Sequence, residues 1–186
     1  MALAEPASSR TIAGGAPGLG LADDRFARGS ILTLRIVMAF LWIQNTRWKL
    51  PPDFGADSKA GLYTYVDYAV QYPVFPPFAA LAEHVLRPNL AIFGWGVLLA
   101  EATIGACLLV GFMTRAVGLI GFVQSLAIFL SVGRAPHELP WSYYLMMVGC
   151  LALAGVAAGR VVGLDGVLRP RLLRSEGVLR RAAVLS

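Results

Sequence analysis

Few side chains in this sequence are placed to do chemistry, and the most demanding of them is Glu101. It stands in the run from Asn89 to Phe112, NLAIFGWGVLLAEATIGACLLVGF, where it is the one charged residue. About twenty apolar residues at 1.5 Å rise each span the hydrocarbon of a bilayer. Twelve residues in, Glu101 is expected roughly 18 Å deep, near the midplane. A carboxylate there costs several kcal/mol unless it is paired, protonated or facing a polar cavity, on the order of what intramembrane charges show generally. Gly94 and Gly105 share its helical face, so a neighbouring helix can approach on that side. Glu101 is therefore expected to face the interior, either handling protons or a ligand, or holding helices together.

A second set lies on the preceding apolar run. Arg35, Trp42, Thr46 and Lys49 stack within about 40° of one another at helical spacing, and Asn45 flanks the stripe. Lys49 at the run's end suits snorkelling to the boundary. Arg35 falls within roughly 8 Å of the expected depth of Glu101 by helical rise. An Arg35–Glu101 pair that neutralises both charges is the expectation. In a later run Gln124 reaches about the depth of Glu101, with Gly121 one turn earlier on its face.

The elements that position these residues are helices. Of 186 residues, 57 % are hydrophobic and 15 % charged, and the mean hydropathy is positive. Four runs approach spanning length, about 31–49, 90–112, 116–133 and 141–159. In lipid each segment has to satisfy its own backbone amides. The expected fold is all-α, an integral membrane four-helix bundle with a long outer loop carrying short amphipathic helices. Within that loop, Asp57 or Ser58 is expected to cap a helix bearing Leu62, Tyr65, Val66 and Ala69. Pro76 and Pro77 open another that runs to Arg87, and both are expected to lie on the bundle mouth or in the membrane interface. Residues 1–28 read as a flexible cytoplasmic tail without a signal-peptide core, 29–166 as the transmembrane domain, and 167–186 as a basic amphipathic tail along the inner leaflet.

The net charge of +5 is a topology signal and not a nucleic-acid footprint. With the N-terminus inside, the inner face holds Arg10, Arg25, Arg28, Arg115, Arg160, Arg169, Arg171, Arg174, Arg180 and Arg181. The outer face holds Arg47, Lys49, Lys59, Arg87 and Arg134. That excess places both termini in the cytoplasm of a plasma-membrane protein and attracts anionic lipid. All four Trp (Trp42, Trp48, Trp95, Trp141) and all six Tyr then fall toward the outer side, where they either anchor the loop or roof a flat ligand. Cys107 and Cys150 differ in depth by roughly 13 Å, too far for a disulfide. His84 and His137 are too isolated for a metal site, and neither a metal nor a flavin motif is visible. The Gly155, Gly159, Gly163 spacing reads as a helix-packing stripe.

Several stretches resemble the DoxX superfamily, and more closely the DoxD-like small subunit of thiosulfate:quinone oxidoreductase. They are Arg35 followed by WKLPPDFG (48–55), then Glu101, then GFMTR (111–115), and finally AGRVVGLD (158–165). Their order and spacing carry the resemblance over roughly 31–166. It implies a four-helix membrane protein tied to redox chemistry, passing electrons from thiosulfate to quinone with a partner subunit. Arg35, Lys49, Glu101, Arg115, Gly159, Arg160 and Asp165 match its motifs.

Three functions are compatible with the residues. The first is a redox-linked subunit binding quinone, with Arg35 and Glu101 handling protons and Trp42, Asn45, Lys49, Trp95 and Gln124 forming the pocket. The second is a non-catalytic scaffold that recruits redox or oxidative-stress enzymes. The third is a small transporter or proton pathway built on Glu101. The topology is tested by labelling intact cells with an impermeant thiol reagent, in a background where Cys107 and Cys150 are Ala. Ser58→Cys is expected to react and Ser175→Cys to be spared; the reverse pattern inverts the topology.

Overall fold

The computed structural model describes residues 25–174 together with 183 and 185. The described residues form helices joined by turns, bends and irregular connections, without strands. The helices are α1 (Arg25–Asn45), α2 (Leu62–Gln71), α3 (Pro76–Leu81), α4 (Leu90–Val110), α5 (Thr114–Val132), α6 (Pro140–Gly155), α7 (Ala158–Val161) and α8 (Leu164–Arg174). A π turn, Ala82–Leu86, continues α3. Three of them, α1, α4 and α5, are long and apolar enough to cross a membrane. The fourth expected span is shorter, because α6 has 16 residues. Val156 and Ala157 then break the path, Ala157 lying in the left-handed region at φ 48°.

Small residues set the helix contacts. A methyl on Gly105 would press on Ile43 and the Ala39 carbonyl, so its absence lets α4 sit directly on α1. Gly118 and Gly121 give α5 the same closeness to Cys150 and Ala154 of α6. Both cysteines are free; Cys150 is buried as a packing residue and Cys107 half-buried.

The register between α1 and α4 decides the rest. Gly111, just past α4, lies against the Arg35 guanidinium, whereas Glu101 meets Asn45. Both intervals are ten residues, about 15 Å at helical rise. So α1, ending at Asn45, reaches only halfway along α4. The expected helix to Lys49 is therefore four residues too long: the chain leaves the helix through turns, with Thr46 N–H bonded to Ile43 O at 3.3 Å and Arg47 N–H to Gln44 O at 3.1 Å. Arg25–Arg28 begin α1 and are not part of a tail.

The half of α4 above Asn45 is covered by the loop and by α2 instead. Phe54 is fully buried, and a methyl on Gly94 would land on its ring. A loop aromatic thus fills the place where a helix was expected. Val66 and Ala69 of α2 are buried with Phe54, Ala82 and Leu90, and α2 packs against α5 as well as the π turn. It is built into the packing and does not lie across its mouth. Its N-cap is Gly61, at φ 58° and without a side-chain cap, so Asp57 and Ser58 do not start it.

At the other end the glycine spacing is not a stripe. The break at Ala157 separates Gly155, which has open space around it, from Gly159 and Gly163, which crowd against Gly111. Helix α8 runs through residue 166, where the domain was expected to end, and carries Pro170 within it. The expected tails otherwise lie outside the described residues, apart from Ala183 and Leu185, whose carbonyl accepts from Ala116 N–H at 3.3 Å.

Gly94→Ala is expected to destabilise by about 1–3 kcal/mol, since the Phe54 ring has no free space to retreat into. The melting temperature in detergent reads this, and Phe54→Leu in the same chain is expected to recover part of the loss. An unchanged Gly94→Ala protein means that the loop does not seat there.

Candidate functional site

Where α1 stops, four polar side chains converge. Lys49 and Glu101 are 1 % and 0 % exposed, and Lys49 Nζ lies 2.6 Å from Glu101 Oε2. The turn after Asn45 makes this contact possible, because it folds Lys49 back over the helix end. There Nζ also donates to the Asn45 carbonyl at 2.8 Å, placing a cation at the negative end of the helix dipole. Asn45 Nδ2 donates to Glu101 Oε1 at 3.0 Å. Its Oδ1 accepts from Trp48 Nε1 at 3.0 Å, which fixes the orientation of the amide. Gln124 Nε2 approaches Glu101 Oε1 from α5 at 3.5 Å, the long limit of a hydrogen bond. Lys49 Nζ further lies 4.0 Å from the Trp48 ring centre.

This cluster forms the polar end of a cavity of about 160 Å³ between α2, α3, the π turn, α4 and α5. Lys49, Glu101, Gln124 and Ser131 are its polar lining; Trp48, Tyr65, Phe78 and Phe93 are its aromatic walls. Trp48 and Tyr65 stack at 4.2 Å with 25° between their planes. The arrangement offers a flat molecule two apolar faces, N–H donors at one edge, and a carboxylate able to take or give a proton.

The structure thus brings Asn45, Lys49, Glu101 and Gln124 together and separates them from the other candidates. Arg35 is not the partner of Glu101. Ten residues of α1, about 15 Å, lie between Arg35 and Asn45; the expected gap was too small because Arg35 lies level with Gly111, just past the end of α4. Trp42 is fully buried in the packed core with Met38 and Leu153. Trp95 is 46 % exposed and meets Phe54 edge-on at 5.5 Å, outside the cavity. Neither forms the pocket. Phe78, Phe93 and Ser131 line it without having been expected there, whereas Trp48 and Tyr65 were expected only among the outer aromatics that either anchor the loop or roof a flat ligand. The WKLPP stretch held the available signal, since a Trp-Lys pair just past an apolar run places both groups at a helix end.

The remaining motif residues build a separate clasp at the Gly111 end. Arg35 Nη1 donates to the Val162 carbonyl and, at 3.4 Å, to the Ala158 carbonyl. Asp165 is fully buried and accepts from Met113 N–H at 2.7 Å, Thr114 N–H at 2.9 Å and Thr114 Oγ1 at 2.8 Å. It therefore caps the start of α5 from a distant helix. Thr114 Oγ1 accepts from Gly159 N–H at 3.0 Å, and Gly111 O from Asp165 N–H at 2.9 Å. Arg160 lies nearby, its carbonyl against Gly166. This end ties the chain together through hydrogen bonds from side chains to backbone groups.

Lys49→Met and Glu101→Leu are each expected to cost about 3–5 kcal/mol, and the double variant less than their sum. Arg35→Met and Glu101→Leu are expected to add independently. Thermal or denaturant melting in detergent measures both cycles, and additivity in the first denies the pair.

The order of these residues along the chain agrees with a comparison of the whole sequence. No curated protein and no solved structure matches the chain. A family model described as TQO small subunit DoxD matches residues 31–180, extending past residue 166 to cover α8. The match takes in both the Lys49–Glu101 cluster and the Asp165 clasp, and the chain belongs to the DoxD family.

Proposed function

We propose that this protein is the integral-membrane subunit of a quinone-linked redox system, possessing the quinone site and working with a partner subunit. The family description, a small subunit of TQO, supports a partner and, under that name, thiosulfate as the electron source. On this reading α6 with α7 completes a four-helix transmembrane bundle in the plasma membrane, with both termini cytoplasmic. The observation that carries the reading is the buried Lys49–Glu101–Asn45–Gln124 cluster at one end of an otherwise apolar, aromatic-walled cavity.

The lining fits a quinone ring on chemical grounds. Lys49 and Gln124 supply N–H donors for carbonyl oxygens, and Trp48, Tyr65 and Phe93 supply flat apolar walls. A quinone held here would take two electrons from the partner and two protons, one by way of Glu101 and the other from the aqueous phase. Lys49 orients the ring oxygen by a charge-assisted hydrogen bond. Glu101 holds a proton at Oε2 when its lysine partner turns toward the ligand, and releases it toward the ring oxygen. Asn45, locked by Trp48, keeps the other carboxylate oxygen in place. The apolar walls exclude water.

The test is purification in mild detergent followed by mass analysis of extracted quinone and bound proteins. Near-stoichiometric quinone is expected. Lys49→Met combined with Gln124→Leu is expected to lower quinone affinity by about tenfold or more, the worth of a charged hydrogen bond. Glu101→Gln is expected to retain quinone but not support its reduction with the partner present. A bound enzyme without quinone identifies a membrane scaffold instead.

A further inference from the structure

One residue of the cavity wall is also exposed. Leu81 lines the cavity and is 44 % exposed, whereas the other lining residues are buried or half-buried. Val85, one turn on, is 48 % exposed, and Ile92 of the adjoining α4 is 79 % exposed. These are apolar groups facing away from the protein at the level of a spanning helix, so in a bilayer they meet lipid. Glu83 and His84, both well exposed, mark the polar side of the same segment.

Every other side of the cavity is closed more deeply. The stacked Trp48 and Tyr65 rings form one side, and the Lys49–Glu101 pair forms the floor above the packed Ile104 and Leu108 core. Backbones of α4 and α5 stand behind Val97 and Ile128. By contrast, α3 has six residues and none is buried. It continues into a π turn, with Arg87 N–H bonded to Ala82 O at 2.9 Å; such wide turns recur at functional sites. Two polar ties bracket the segment: Arg134 Nη1 donates to Pro73 O at 2.9 Å, and Arg87 Nη1 pairs with Asp67 Oδ1 at 3.3 Å. Between them the wall is one short helix and a π turn, anchored by Ala82, Phe78 and Leu86, with Leu81 on its exposed side.

From this we infer that Leu81 is a lateral door between the cavity and the bilayer, and that the site takes chain-bearing, lipid-soluble quinones, whose tail passes out at Leu81. The inference rests on the quinone reading and adds the route and the substrate class. A ring-only quinone lacks the group that the doorway accommodates. A quinone with a chain arrives from the lipid phase and keeps its tail there once the ring is seated.

The test follows quenching of tryptophan fluorescence in lipid bicelles by a decyl-substituted benzoquinone and by the same ring without the chain. The decyl quinone is expected to bind the parent protein and, on Leu81→Phe, to associate roughly tenfold more slowly, as expected for a more obstructed entry. On Leu81→Ala it is expected to associate faster. The ring-only quinone is expected to respond weakly to both changes. If both quinones bind while neither variant alters the decyl rate, the door is overturned and the cavity reading stands. If neither quinone binds the parent protein, both fall together. The two variants also guard against misfolding, since a folding defect slows both and a door moves them in opposite directions.

Discussion

A carboxylate in the middle of an apolar helix constrains everything around it. Glu101 cannot remain ionised among Val97, Ile104 and Leu108 without a cation, because the interior dielectric makes a lone charge cost far more than a paired one. The cation comes from Lys49, and Lys49 arrives only because α1 ends at Asn45 and the chain turns back. The same turn leaves the upper half of α4 without a helical neighbour on that side. Phe54, α2 and the α3–π segment fill the space incompletely, and the remainder is the cavity. Pair, broken helix and pocket are one arrangement.

Much of this was legible in the residues. The apolar runs containing α4 and α5 gave their positions nearly to the residue, since length and hydropathy are the quantities that a bilayer selects. Glu101, Asn45, Lys49 and Gln124 stood out because polar groups at such depth need partners. The end of α1 was hidden: the residues from Leu41 to Leu50 mix apolar and polar side chains in a pattern that a helix can carry, and no Gly or Pro stands at the stop. Depth counted from the run's start then aligned Arg35 with Glu101. The stagger of two helices depends on which small residues meet, here Gly105 against Ala39 and Ile43, and a single run does not contain that information. For the same reason Trp42 and Trp95, conspicuous as aromatics, proved to face the core and the exterior.

The two ends of the molecule divide the labour. Near Gly111, Arg35 and Asp165 spend their charges on backbone groups: carbonyls at the break after α6 and amides at the start of α5. Those bonds satisfy carbonyls around α7, which follows the interruption at Ala157, and the orphan amides at the start of α5. Toward Leu90, the charges of Lys49 and Glu101 meet each other and form the polar end of a cavity. Motif residues from one family pattern therefore serve two purposes, and proximity in a motif list says nothing about which.

The stop of α1 at Asn45 also orders events in time. When the ribosome has delivered α1 and Lys49, the carboxylate that Lys49 pairs with has not yet been made. An ammonium on a short apolar segment favours the aqueous boundary until then. Only after α4 has been inserted can Lys49 settle onto Glu101 and draw the Trp48–Phe54 loop down over Gly94. The site is thus the product of a late step in biogenesis, in which a segment already synthesised is pulled inward by one that follows it.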